Sequence, residues 1–143
     1  MMKKIKLIAL VCSIFSVMAC NAQKNEMSKI EKVITEFSKA GDENNTEKLE
    51  TYLDDNYRIV MNRLFGSKEV SVMSKKIYLE KINSKEYGGD KRVLTIDNII
   101  INGTTASAKV SFKGTKMTFN SLILLIQNAN GKWKLISDVP IIG

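Results

Sequence analysis

A chain of 143 residues, 44% hydrophobic and 26% charged, has the material for one domain with an ordinary core and too little for two. That apolar content and a single proline exclude a disordered chain, and the net charge of +7 falls to 19 basic against 15 acidic residues once Lys3, Lys4 and Lys6 are set aside, too weak and scattered for a nucleic-acid surface. There is no histidine, and no cysteine beyond Cys12 and Cys20, which closes off the common zinc sites, Ser-His-Asp and Cys-His nucleophiles, and any disulfide in the mature domain. Neither a phosphate-cradling glycine loop nor an internal repeat occurs, so no cofactor is expected.

The amino terminus has a basic head, an uncharged run from Leu7 to Met18, and a small-residue end, the layout of a secretory signal peptide over residues 1–22. Two processing routes fit. Val17-Met18-Ala19-Cys20 resembles the lipobox of bacterial lipoproteins, with lipid carried on Cys20, although Met18 is larger than the usual occupant of its place. Cys20-Asn21-Ala22 offers small side chains to an ordinary signal peptidase cutting after Ala22. An uncleaved anchor is a third route, for which the apolar run is short. Every route puts the domain outside the cytoplasm, either lipid-anchored to the bacterial envelope or secreted, and a lipid is its only expected membrane contact.

Residues 23–27 read as a polar tether, and residues 28–143 as the domain. Ser28 and Glu31 form a capping-box pattern, and Ile30, Val33, Ile34 and Phe37 follow at amphipathic helical spacing until Ala40-Gly41. A polar turn at 42–46 leads to a short second helix carrying Leu49, Tyr52 and Leu53, broken by Asp54-Asp55-Asn56. From Tyr57 the period changes to two: Tyr57, Ile59 and Met61 alternate with Arg58, Val60 and Asn62, and a turn at Phe65-Gly66-Ser67-Lys68 returns the chain through Val70 and Val72. Arg58 reads as a surface ion-pair partner or an anion contact. Ser74 caps a third helix with Ile77, Tyr78, Lys81 and Ile82 on one side, stopped by Tyr87-Gly88-Gly89-Asp90.

Four β-rich runs complete the chain: Val93 to Ile101, Thr105 to Lys113, Met117 to Gln127 and Trp133 to Val139. Asn102-Gly103, Gly114-Thr115 and the 128–131 segment separate them. Asn-Gly between apolar runs marks a tight hairpin, so the region reads as an antiparallel meander. Its second run alternates Ala106, Ala108, Val110 and Phe112 with polar residues, giving one inward and one wet face. The unbroken Leu122 to Ile126 predicts a strand covered on both sides.

With that order of elements, the runs Ile-Asn-Gly-Thr-Thr-Ala-Ser-Ala-Lys-Val (101–110), Phe-Asn-Ser-Leu-Ile-Leu-Leu (119–125) and Asn-Gly-Lys-Trp-Lys-Leu-Ile (130–136) resemble the nuclear transport factor 2-like superfamily, closest to its putative lumazine-binding family. The resemblance implies an α+β cone: three N-terminal helices packed on a bent antiparallel sheet around a cavity. The motifs are structural and do not choose among the superfamily's binding domains, isomerases, cyclases and dehydratases. Within such a cone Tyr57, Tyr78, Asn120 and Trp133 are the candidate ligand contacts, with Ser121 an alternative to Asn120 and a core anchor the plainer role for Trp133. A non-catalytic envelope domain holding a small apolar or aromatic ligand, or docking another protein, is the first functional expectation. The second is a cofactor-free isomerase, cyclase or dehydratase with Asp97 as base and Tyr57 or Tyr78 polarising a carbonyl, although a solvent-facing Asp97 is the plainer reading. A homodimer through the outer sheet face is compatible with both, and Lys109 and Lys113 argue against the second run as its centre.

Overall fold

The computed structural model describes residues 21–143; the signal segment with Cys12 and Cys20 lies outside the described residues. In chain order the elements are α1 (Met2–Asp42), followed here from Asn21, α2 (Thr46–Glu50), β1 (Leu53–Asn62), a 3-10 turn (Leu64–Gly66), β2 (Val70–Ser74), α3 (Lys75–Asn83), β3 (Val93–Asn102), β4 (Thr105–Lys113), β5 (Thr118–Gln127) and β6 (Trp133–Ile142).

Ile30, Ile34, Phe37 and Ala40 form the buried stripe of α1, as their spacing predicts. The helix does not start at Ser28, however. Residues 23–27 are helical, so the expected tether is part of the helix and the Ser28 capping box is unused. The reason lies in Glu26, whose Oε2 accepts from Trp133 Nε1 at 2.8 Å and Gln127 Nε2 at 3.3 Å, tying the preceding turn to the sheet.

Asn45 caps α2 by accepting from Lys48 N at 2.9 Å. Tyr52 and Leu53, expected in this helix, leave it because Leu135 N donates to Tyr52 O at 2.9 Å and draws the chain into β1. Asp54, Asp55 and Asn56 therefore lie within β1, where its pairing with β6 is interrupted between Leu53 and Arg58. Arg58 is exposed. Ser74 does cap α3, accepting from Ile77 N, but of its expected face only Tyr78 and Ile82 are buried and Ile77 is exposed.

The six strands form one sheet in the order β2-β1-β6-β5-β4-β3. Every neighbouring pair is antiparallel except β1 and β6, which run parallel, so the expected antiparallel sheet contains one parallel join. Bulges interrupt β3 between Ile96 and Asn98 and the β5–β6 pair between Leu124 and Leu125. Such an insertion kinks a strand and reverses the facing of every residue beyond it.

All three helices cover the inner face, where Ala106, Ala108, Val110, Phe112, Ile123, Leu125 and Leu135 are buried. The outer face has no such cover, and this corrects the expectation for the third run: Leu122 and Leu124 of β5 are 49% and 40% exposed. Across that face Val72 pairs with Val60, Leu122 with Val139 and Lys109 with Leu122, while Val60 and Val139 each follow the paired Ile59 and Asp138. The result is an apolar row over four strands that ends at the lysines of β4.

Candidate functional site

Between the C-terminal half of α1, α3 and the inner sheet face lies a cavity of about 640 Å³. Phe37 from α1, Tyr78 from α3, and Phe112 and Phe119 from the sheet give it aromatic rings beside the aliphatic Ile59, Met61, Met73 and Ile82. Its mouth is framed by the 86–90 loop, the 114–117 turn and Leu64-Phe65.

The mouth is stapled to the end of α1. Arg92 Nε meets Asp42 Oδ1 at 2.5 Å, its backbone N donates to Asp42 Oδ2 at 3.1 Å, and Nη2 donates to Ser38 O at 3.2 Å. The guanidinium also lies over the Phe112 ring, 4.9 Å from its centroid. Asn44 Nδ2 donates to Ile82 O at 3.0 Å and Tyr87 O at 2.7 Å, and Gly89 N donates to Gly41 O at 3.2 Å. Gly88 sits at φ +76°, and a Cβ there would overlap Gly41 O and Asn44 Nδ2, so both its conformation and its closeness to α1 require glycine. Asp90 closes the other side by accepting from Thr115 N at 2.8 Å and Thr115 Oγ1 at 3.0 Å.

At the inner end of the cavity is Asp138, on β6 and only 8% exposed. Its Oδ1 has no hydrogen-bond partner, nor has the hydroxyl of Ser121 or of Tyr57. Burial pushes the Asp138 carboxyl up to about 6, while Ser121 and the Arg92 charge pull the other way. Burial likewise drives both the Tyr57 and Tyr78 hydroxyls above the ordinary tyrosine range. Their rings lie 5.7 Å apart. An acid held between charged and neutral forms near neutral pH, beside hydroxyls and an apolar wall, can accept a proton, donate one, or pair with a ligand donor.

Of the expected site residues, Tyr78 lines the cavity and Tyr57 packs behind it. The other three are elsewhere. Asp97 is exposed and unpaired at the β3 bulge, so it is not a cavity base. Asn120 lies on the outer side of β5 between Ser111 and Ile141, and its neighbours Phe119 and Ser121 face the cavity instead. Trp133 is a buried anchor at the far end of β6, bound to Glu26, and contributes nothing to the lining. Asp138 was missed for a definite reason. Counting by twos from Trp133 puts Ser137 inside and Asp138 outside, but Leu135 pairs with Leu125 and Ser137 with Leu124, so Ile136 is the extra residue and the facing reverses after it. Arg92 carried no local signal, because its partner Asp42 is fifty residues away. Among the described residues no group of three or more acidic residues is placed to hold a metal ion.

Fold and site together define a small α+β cone, a bent sheet closed by helices around a pocket with one deep carboxylate. Residues 25–139 match the family described as Putative lumazine-binding. The chain belongs to that family, and its fold is of the nuclear transport factor 2-like kind. An NTF-2 like protein of unknown function from Silicibacter pomeroyi DSS-3 is similar in structure, with TM-score 0.74, 15% identity, and coverage of 85% of this chain and 98% of that one. An NTF2-like protein of unknown function from Methylobacillus flagellatus KT gives 0.70 at 21% identity, covering 83% and 93%. A ketosteroid isomerase-like protein from Erwinia carotovora atroseptica SCRI1043 gives 0.66 at 16% identity, covering 82% and 95%. At these identities the likeness is one of fold. Comparison with curated proteins gives no match.

Proposed function

We propose that this chain is a non-catalytic domain of the bacterial cell envelope that holds a small ligand with an apolar or aromatic body inside its cone. The observation that carries this reading is the cavity of about 640 Å³ itself, lined by aromatic and aliphatic side chains and entered through a mouth braced by the Arg92–Asp42 pair. The envelope location rests on the signal-peptide layout of residues 1–22, with Cys20 the lipidation site on the lipoprotein route. The apolar row on the outer sheet face supports a homodimer formed through that face. Native mass spectrometry of protein purified from its own membrane fraction tests the reading. We expect a non-covalent small molecule to co-purify and a diacylglyceryl mass on a chain beginning at Cys20. An empty, unlipidated protein retaining Cys12 would overturn it.

A second reading is favoured by one observation, the deep Asp138 with its carboxyl raised to about 6 beside Tyr78 and Tyr57. An acid so placed is suited to moving a proton next to a carbonyl, as a cofactor-free isomerase, cyclase or dehydratase requires, with Asp138 taking the role that sequence assigned to Asp97. Incubating the chain with 2-acetylnaphthalene in D₂O decides it: deuterium entering the methyl group faster with the wild type than with Asp138→Asn supports catalysis, and equal rates remove Asp138 as a base for such ketones.

A further inference from the structure

Charges around the cavity are unequally matched. Besides Asp138, four charged side chains line it. Arg92 is held by Asp42 at 2.5 Å, Glu86 meets Lys81 at 2.5 Å, and Asp90 accepts twice from Thr115. Lys116 is exposed at the mouth, where water screens it. Asp138 alone is deep, and its Oδ1 is buried with no partner.

Its surroundings point the same way. The register sets Ser121 diagonal to Asp138 across the β5–β6 pair, and Tyr57 comes from β1, whose Ile59 pairs with Asp138. Both hydroxyls are unpartnered as well. Ser121 and Asp138 line the cavity and Tyr57 packs just behind it, and a buried carboxylate so poorly supplied with donors is costly unless an occupant pairs with it. A charged carboxylate lacks a donor, and the two hydroxyls are able to donate or accept. Phe37 from α1, Tyr78 from α3 and Phe112 from β4 also line the space, and Arg92 already rests on the Phe112 ring, so an aromatic lining here tolerates positive charge.

From this geometry we infer that the ligand carries a cationic amine-type or amidine-type nitrogen on an aromatic body, the nitrogen donating to the Asp138 carboxylate while the body lies among Phe37, Tyr78 and Phe112. This rests on the ligand-binding reading above and names the chemistry of its occupant. A buried carboxylate with a cationic partner regains the interaction that desolvation removed, and the ring wall discriminates against small hydrated cations.

The groups facing Asp138 are Tyr57 from β1, Tyr78 from α3, Ser121 from β5, and Arg92 with its partner Asp42 at the end of α1. Both tyrosines are shifted upward, so the group in the cavity that titrates near neutral pH is Asp138. A cationic ligand needs the ionised form and gains affinity as pH rises through about 6. A ligand accepting a hydrogen bond from the protonated acid shows the opposite slope.

The test is calorimetric titration of the full chain with three probes sharing one ring system: 2-(aminomethyl)naphthalene, 2-methylnaphthalene and 2-acetylnaphthalene. At pH 7.5 the amine should bind about 10- to 100-fold more tightly than the methyl compound. That advantage should shrink as pH falls below about 6 and vanish in Asp138→Asn. The wild-type pH profile decides the matter even where the variant folds poorly. Equal binding of amine and methyl compound, or an advantage that survives in Asp138→Asn, overturns the inference and leaves the ligand-binding reading standing. Preference for the ketone, tightening in acid, overturns it in favour of Asp138 as a donor. No binding by any probe overturns both.

Discussion

Asp138 illustrates how a single side chain at an inner position works against stability in one charge state. Its carboxyl rises from an ordinary 3.8 to about 6 because the charged form loses its water on burial and gains no partner. A raised folded-state value means the folded protein holds its proton where the unfolded chain has released it. The favourable contribution is complete below about 3.8 and declines until pH passes about 6. The gap corresponds to about 3 kcal/mol. Thermal melts at pH 4.5 and 7.5 should therefore show Asp138→Asn stabilised relative to wild type at the higher pH, and that gain should shrink or reverse at the lower. An unchanged difference between the two proteins across this range would show that Asp138 is hydrated in solution. At this scale the sequence was a poor guide. Tyr78 could be placed from its helix, since capping by Ser74 sets the phase of α3. Asp97 and Asp138 could not, because the facing of each depends on where a strand slips by one residue, and neither bulge has a local marker. Asn120 sits in the regular β5, whose unbroken apolar run hides which alternate set faces inward. Trp133, a candidate ligand contact with a core anchor as its plainer role, sits outside the cavity as an anchor, and its partner Glu26 lies more than one hundred residues away.

The elements themselves were more legible, because hairpin turns and alternation are local. The boundaries of β3, β4 and β5 fall within a residue of the apolar runs, and β6 extends three residues beyond the expected Val139. Two readings failed for one shared reason, that long-range pairing overrides local pattern. Leu53 joins β1 instead of α2 because β6 is there to receive it, and the helix continues back through residues 23–27 because Glu26 finds Trp133. For β5 the unbroken apolar run suggested cover on both sides, whereas its outer residues belong to a row open to solvent from Val72 to Leu122. If that row seats a second copy, sedimentation velocity should give a dimer for the wild type and a monomer for Leu122→Lys. The melting temperature of the dissociated variant should fall by no more than its lost partner explains, since Leu122 is half exposed within the subunit. A wild type that sediments as a monomer removes the proposal.

For the molecule as a whole, the cone was legible from the order of elements, and the pocket followed from the cone. Its chemistry did not follow, since the Arg92–Asp42 clasp, Gly88 against Gly41, and the deep acid all join residues far apart in the chain. Glu26's attachment to Trp133 has one more effect, on how the protein would stand at a bilayer. The five residues between Cys20 and Glu26 continue the helix, so an acyl chain on Cys20 would begin only ~9 Å along the axis from Glu26. From Glu26 to Gly41 at the pocket entrance, α1 rises another ~22 Å along its axis. If the chain is moored this way, it would stand like a post with its entrance turned from the lipid, and any ligand would exchange with the surrounding water and not with the membrane beneath.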